Sequence, residues 1–137
     1  MKRVSYLVCA LLWAVCQPSL ADVVVIVHPS NANSLDNATI ARIFLGKSKT
    51  FPDGAQAVPI NLQEGSPASD AFNATVLGKN GSQLKAYWSQ LVFTGKGAPP
   101  KQVDSEDELK KLIAANPNMI GYIDAAKLDA SVKAVGK

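Results

Sequence analysis

The sequence predicts an α/β fold, one three-layer lobe with a small, mostly parallel sheet flanked by helices. Three observations predict it. Short apolar runs of strand length alternate with longer segments that carry apolar residues at helical spacing. The first run, Val23 to Val27, is unbroken and β-branched, which suits a strand covered on both faces of a parallel sheet. The chain has 137 residues, enough for one domain and short for two.

The elements follow in order. His28-Pro29-Ser30-Asn31 ends the first strand with loop chemistry. Ser34 is placed to cap a helix, with Asp36 in its first turn, where a negative charge is favoured. Leu35, Ile40, Ile43 and Phe44 share one face of that helix, and Gly46 stops it. Ala57 to Asn61 reads as a second strand. Ser66-Pro67 then starts a helix, with Ser66 as cap and Pro67 at the first helical position, where its missing N–H costs nothing. Phe72, Val76 and Leu77 give that helix its buried face. Gly78 to Gly81 interrupts it. A further helix is expected to turn Leu84, Tyr87, Trp88 and Leu91 inward, ending at Gly95 and Gly97. Pro99 to Asp104 reads as a connection between elements. Ser105 and Glu108 have the spacing of a capping box, opening a helix that holds Leu109, Leu112 and Ile113. Met119 to Ile123 is a third strand, and Val132 to Val135 a fourth.

The first 21 residues read as a cleavable secretory signal. Lys2 and Arg3 precede an uncharged apolar run, Val4 to Cys16, shorter than the roughly 20 residues that span a bilayer as a helix. Ser19-Leu20-Ala21 supplies small residues for cleavage after Ala21. A single domain over residues 22–137 is then expected, periplasmic or secreted. Both cysteines, Cys9 and Cys16, belong to the signal. The exported part therefore has no disulfide, thiol nucleophile or thiolate metal site.

Charge excludes further classes. The full chain has 14 Lys and Arg against 11 Asp and Glu. Without Lys2 and Arg3 the balance is 12 against 11, or +1. The lysines are scattered and Asp104 to Glu108 is acidic, so no nucleic acid partner is expected. The lone histidine, His28, has no nucleophile elbow or metal-ligand spacing around it. No catalytic residue, metal or other cofactor is expected, and an enzyme is the least favoured class.

Ligands of open α/β sheets bind outside the carboxyl ends of strands. Two loops answer that description, His28 to Ser34 and Leu62 to Ser66. Helix starts attract anions through free N–H groups and the macrodipole. The candidate anion-binding set is therefore Gln63, Glu64, Gly65, Ser66 and Ser69, with Ser30 and Asn31 from the first loop. The plainer alternative is that Ser66 only caps its helix and Gly65 only makes a turn.

Ile43-Phe44-Leu45-Gly46-Lys47, followed by a loop and a strand into Gly65-Ser66, resembles the phosphate-binding periplasmic proteins of ABC transporters. Tyr87-Trp88, Phe93-Thr94-Gly95 and Ile120-Gly121-Tyr122-Ile123 stand in the matching order, so the likeness covers most of residues 23 to 135. It implies a periplasmic-binding-protein-like lobe, a phosphate or similar oxyanion ligand, and an ABC permease as partner. The family's anion turn has the form R-S-D-G-S-G-T. Here Leu62 stands at its phosphate-clamping Arg, Gln63 at a Ser, Glu64 at the Asp, Pro67 at a Gly and Ala68 at a Thr. Only Gly65 and Ser66 match. An Arg–phosphate pair is among the stronger polar contacts, so weakened anion binding is expected. Family members close two lobes over the ligand, and this chain has the length of one. A second copy of the chain, or a partner, is expected to supply the missing wall of the site unless the site is open and weak. Two readings follow: an exported solute-binding-like protein linked to phosphate uptake, or a single-lobe module that has lost its ligand and binds a sensor, a porin or a permease.

Overall fold

The structure, a computed structural model, describes residues 22–136. The expected signal over residues 1–21, with Cys9 and Cys16, lies outside the described residues. The element order is β1 (Val23–Val27), α1 (Asn37–Phe44), β2 (Val58–Leu62), α2 (Pro67–Phe72), α3 (Gly81–Phe93), β3 (Lys101–Val103), α4 (Glu106–Ala115), β4 (Met119–Asp124) and β5 (Lys133–Val135). A π-turn over Asn73–Leu77 continues α2, and a 3-10 turn over Ala125–Lys127 follows β4.

The five strands form one sheet in the order β3-β2-β4-β1-β5. β2 is parallel to both β3 and β4, whereas β1 is antiparallel to β4 and to β5. Four strands therefore share one direction and β1 alone opposes them. The unbroken apolar run of β1 suits a parallel strand, yet the strand is antiparallel to both its neighbours. Apolar composition reports burial on two faces, not direction, and β1 is packed against α4 on one face and α2 on the other.

β4 shows how the layers form. Its residues from Ile120 to Ile123 are all buried, and successive side chains face opposite sides. Gly121 faces α4: a β-carbon there would stand 2.7 Å from Ile113 Cδ1 and 3.0 Å from Leu109 Cδ2. Tyr122 faces the other way, with its ring stacked on Phe72 of α2 at 4.0 Å and 5.9 Å from Phe44 of α1. Phe44 and Phe72 meet edge to face at 4.7 Å, a favoured aromatic geometry. So α4 covers one face of the sheet and α1 with α2 covers the other.

Helix ends follow local chemistry. Asp36, not Ser34, caps α1, accepting from the Thr39 amide at 2.8 Å. An Asp outranks a more distant Ser here because its carboxylate also meets the positive helix end. Leu35 remains outside the helix yet is buried with Ile40, the spacing of a hydrophobic staple. Ser66 and Ser105 cap α2 and α4 as expected, through the amides of Ser69 and Glu108. The complete capping box lies elsewhere: Asn80 and Gln83 bond each other's backbone amides at the start of α3. Of the expected Pro99–Asp104 connection, residues Lys101–Val103 form the edge strand β3.

Candidate functional site

The antiparallel course of β1 separates the two expected loops. Val23 lies opposite Asp124 and Val27 opposite Ile120, while Ile120 also pairs with Pro59 near the start of β2. The loop after β1 therefore leaves at the rim where β2 begins. The Gln63-Glu64-Gly65-Ser66 turn leaves at the other rim. β1 has five residues, so at about 3.4 Å per residue the rims are about 14 Å apart. Ser30 and Asn31 consequently do not join the candidate set. Ser30 is bonded within its own loop, with its hydroxyl 2.7 Å from His28 Nδ1. Asn31 is buried, and its Oδ1 accepts from the amide and the side chain of Asn33 at 2.9 and 2.8 Å. Lys133 Nζ donates to its carbonyl. These groups hold the loop together.

At the other rim, Gly65 adopts φ +85°, which closes the turn without steric cost. The Ser66 amide donates to the Gln63 carbonyl at 3.2 Å, and the Gln63 amide to Val103 O at 3.0 Å. Glu64 and Gly65 between them are exposed, and their amides meet no acceptor among the described residues. Along α2, the Ser69 amide is taken by the Ser66 hydroxyl and the Asp70 amide by the Ser66 carbonyl. Pro67 has no amide, and Ala68, which carries the one the helix start still offers, is buried, at 5% exposure. The turn thus presents two exposed N–H groups, of Glu64 and Gly65.

The side chains are less suited to an anion. Leu62 is 3% exposed and belongs to the core. Its amide donates to the Tyr122 hydroxyl at 3.2 Å. Burial pushes the Tyr122 hydroxyl's pKa up, and hydrogen bonds from Ser69 and the Leu62 amide oppose that rise. Ser69, buried at 5%, is therefore turned toward Tyr122 as well as lining the cavity described next. The Glu64 carboxylate reaches toward the start of α3: its Oε1 would be 3.8 Å from a β-carbon on Gly81. That places a negative charge at the positive end of α3.

Beside the turn lies a cavity of about 500 Å³. Leu62, Leu84, Trp88, Val92, Phe93 and Pro99 form its apolar wall. Asn61, Glu64, Ser69, Asn73, Lys85, Ser89 and Gln102 supply its polar groups. α3 has no buried residue. The expected inward face of Leu84, Tyr87, Trp88 and Leu91 is only half-buried, because the helix stands against the cavity rather than the core. It is fastened at one point. The Tyr87 hydroxyl donates to Leu45 O at 2.6 Å, and Trp88 abuts Gly46, where an added β-carbon would be 3.3 Å from Cη2. Val92 and Phe93 beyond that point are exposed, Phe93 at 92%. Asn61 stands outside the candidate set drawn from the sequence. The available signal was a carboxamide inside the otherwise apolar strand Val58–Leu62.

No group of three or more metal-ligating side chains occurs among the described residues. No helix among them is long and apolar enough to cross a membrane.

No protein-family model matches the sequence, and no curated protein matches it. Solved structures do. A phosphate ABC transporter substrate-binding protein from Clostridium perfringens, with bound phosphate, is similar over 82% of this chain and 43% of its own, at 26% identity and a TM-score of 0.65. An ABC-type phosphate transport receptor from Vibrio cholerae matches with 18% identity and a TM-score of 0.64, over 82% and 44% of the two chains. PstS from Borrelia burgdorferi matches with 15% identity and a TM-score of 0.62, over 83% and 46%. The chain spans a little under half the length of each. The likeness read from Ile43 to Lys47 and the turn holds at the level of the fold: the chain has the architecture of part of a phosphate ABC transporter substrate-binding protein.

Proposed function

We propose that the chain is an exported solute-binding-like protein for phosphate or a similar oxyanion, linked to ABC-type phosphate uptake. One observation carries the reading: the exposed turn after β2 offers the amides of Glu64 and Gly65 just before the start of a helix, in a fold shared with phosphate-binding proteins. Leu62 in place of an Arg, and Glu64 beside the turn, make this a weak and open site. A ligand pocket ordinarily buries about 70–90% of its ligand, and one rim alone does not. Calorimetry and amide NMR on residues 22–137 test the proposal with phosphate, sulfate and nucleotides. The expected result is millimolar binding that shifts the amides of Glu64 and Gly65. Silence at that concentration rejects it. Export is part of the proposal: mass spectrometry of the expressed protein should find a chain beginning at Asp22.

A second reading, a single-lobe interaction module, is favoured by the buried Leu62 and the exposed apolar end of α3. Val92 and Phe93 are then contact residues for a protein partner. Capture from an envelope extract that recovers no partner sensitive to Phe93→Ser counts against it.

A further inference from the structure

We infer that the cavity between β2 and α3 is a binding site for a small neutral ligand that joins an amide group to an apolar body. It adjoins the anion-binding turn, sharing Leu62, Glu64 and Ser69 with it, but its carrying group, Asn61, lies outside the turn. The carrying observation is Asn61. Its Oδ1 is buried with no hydrogen-bond partner, the one such side-chain atom among the described residues. A buried acceptor left empty destabilises a fold. Leucine, of similar shape, would fit the same strand position without that penalty. Asn61 lines the cavity, and so do the carboxamides of Asn73 and Gln102. Three carboxamides thus approach one cavity from three elements: β2, the π-turn after α2, and the edge strand β3.

The chemistry of the occupant follows from this lining. A carboxamide offers one acceptor and two donors in a plane, so its natural complement is another amide. On the opposite wall, Leu84, Trp88, Val92 and Phe93 of α3 form an apolar stripe beside Lys85 and Ser89, and that stripe suits a hydrocarbon or aromatic body. The volume of about 500 Å³ is that of a small-molecule pocket. Charge argues against an ionic ligand, since Glu64 and Lys85 are the two charged residues of the lining and have opposite sign. The start of the π-turn at Asn73 is a second pointer. π-turns are frequent at functional sites, and Asn73, where this one begins at the end of α2, is 8% exposed and lines the cavity.

The test uses residues 22–137, in which Trp88 is the sole tryptophan and reports on the cavity wall. Three probes share a phenyl body: 3-phenylpropanamide, 3-phenylpropanoate and phenethylamine. Trp88 fluorescence and side-chain NH₂ signals in NMR follow their binding. The neutral amide is expected to bind about tenfold more tightly than either ion, the discrimination expected of a site whose polar groups are left unpaired by the wrong ligand. Asn61→Leu should lose that preference while its thermal midpoint rises, which separates loss of the site from loss of the fold. Lys96→Ala, outside the cavity, should bind as the parent does. Equal affinity for the three probes, an unchanged preference in Asn61→Leu, or no binding of the amide at 10-millimolar-range concentrations (about 1–10 mM is weak but measurable) each overturns the inference. Phosphate titrated in parallel reads the turn, so failure there leaves this result intact.

Discussion

At the scale of single residues, the turn after β2 and the cavity beside it meet at Leu62, Glu64 and Ser69, and the Tyr122 hydroxyl stands behind Leu62 and Ser69. The Tyr122 hydroxyl receives the Leu62 amide inside the core. Tyr122→Phe keeps the stack on Phe72 and removes that acceptor, leaving a buried N–H unpaired. The expected cost is about 1–3 kcal/mol, read as a lower midpoint in urea at unchanged slope. Much of this scale was legible beforehand. Ser66 as cap, Pro67 after it and Gly46 as helix stop each follow from one residue's local chemistry, and all stand where expected. Ser30 and Asn31 were not legible as structural groups. Their role depends on Asn33 and on Lys133, which lies far along the chain. Asn61 was missed for a related reason: an unpaired buried atom is a property of surroundings that no single residue reveals.

At the scale of elements, periodicity located the helices better than it described their burial. α1 and α4 carry apolar faces that reach the core, and Ile40, Ile43, Leu109 and Ile113 are at most 1% exposed. α3 has a similar pattern yet no buried residue, because apolar spacing tells which face is apolar and not what covers it. β3 was hidden for a different reason. It has three residues, follows Pro99-Pro100, and exists through pairing with β2 rather than through its own apolar content. Polar ties join the last segment to α4. Lys110 Nζ donates to Asp129 at 2.8 Å and to Lys127 O at 2.9 Å, and Ser131 also bonds Asp129. Lys110 and Ser131 hold the Asp129 carboxyl well below its ordinary value of 3.8. The Thr39 hydrogen bonds lower Asp36 in the same sense at the start of α1. Groups with a depressed folded pKa contribute stability above their unfolded pKa and lose it as pH falls toward the folded one. The thermal midpoint should therefore drop as the solution is acidified below about pH 4. Asp129→Asn should lower the midpoint at neutral pH and flatten part of that acid decline. Because the pair is exposed, the effect at neutral pH should be small and should shrink further in high salt. An acid decline as steep in Asp129→Asn as in the parent would assign it to other carboxylates.

At the scale of the whole molecule, the sequence revealed the class of the fold and the order of its elements but not the direction of β1. Strand direction is set by which edges pair, and pairing is a relation between distant segments. That one reversal carries the largest functional consequence, since it places the two expected loops on opposite rims and leaves the turn after β2 as the surviving anion candidate. It also makes β1 the strand that joins the sheet's first and last parts. On one side β1 pairs with β4, and on the other with β5, which has three residues: Val25 opposite Val135, Ile26 opposite Ala134 and Val27 opposite Lys133. β5 is short and its end residue Lys133 is charged, features that protect a sheet edge against pairing with other molecules. The strand beneath it is the reverse, an uncharged β-branched run of five residues. Ending the chain at Ala130 removes β5 together with Val132, which is 5% exposed and part of the core. The unpaired groups of β1 would then face solvent along a strand of the kind that recruits further strands. The truncated protein should fold to lower stability and associate with rising concentration, while residues 22–137 stay monodisperse. Light scattering across a concentration series separates the outcomes. A truncated chain that remains as monodisperse as the longer one would show that β5 does not guard this edge.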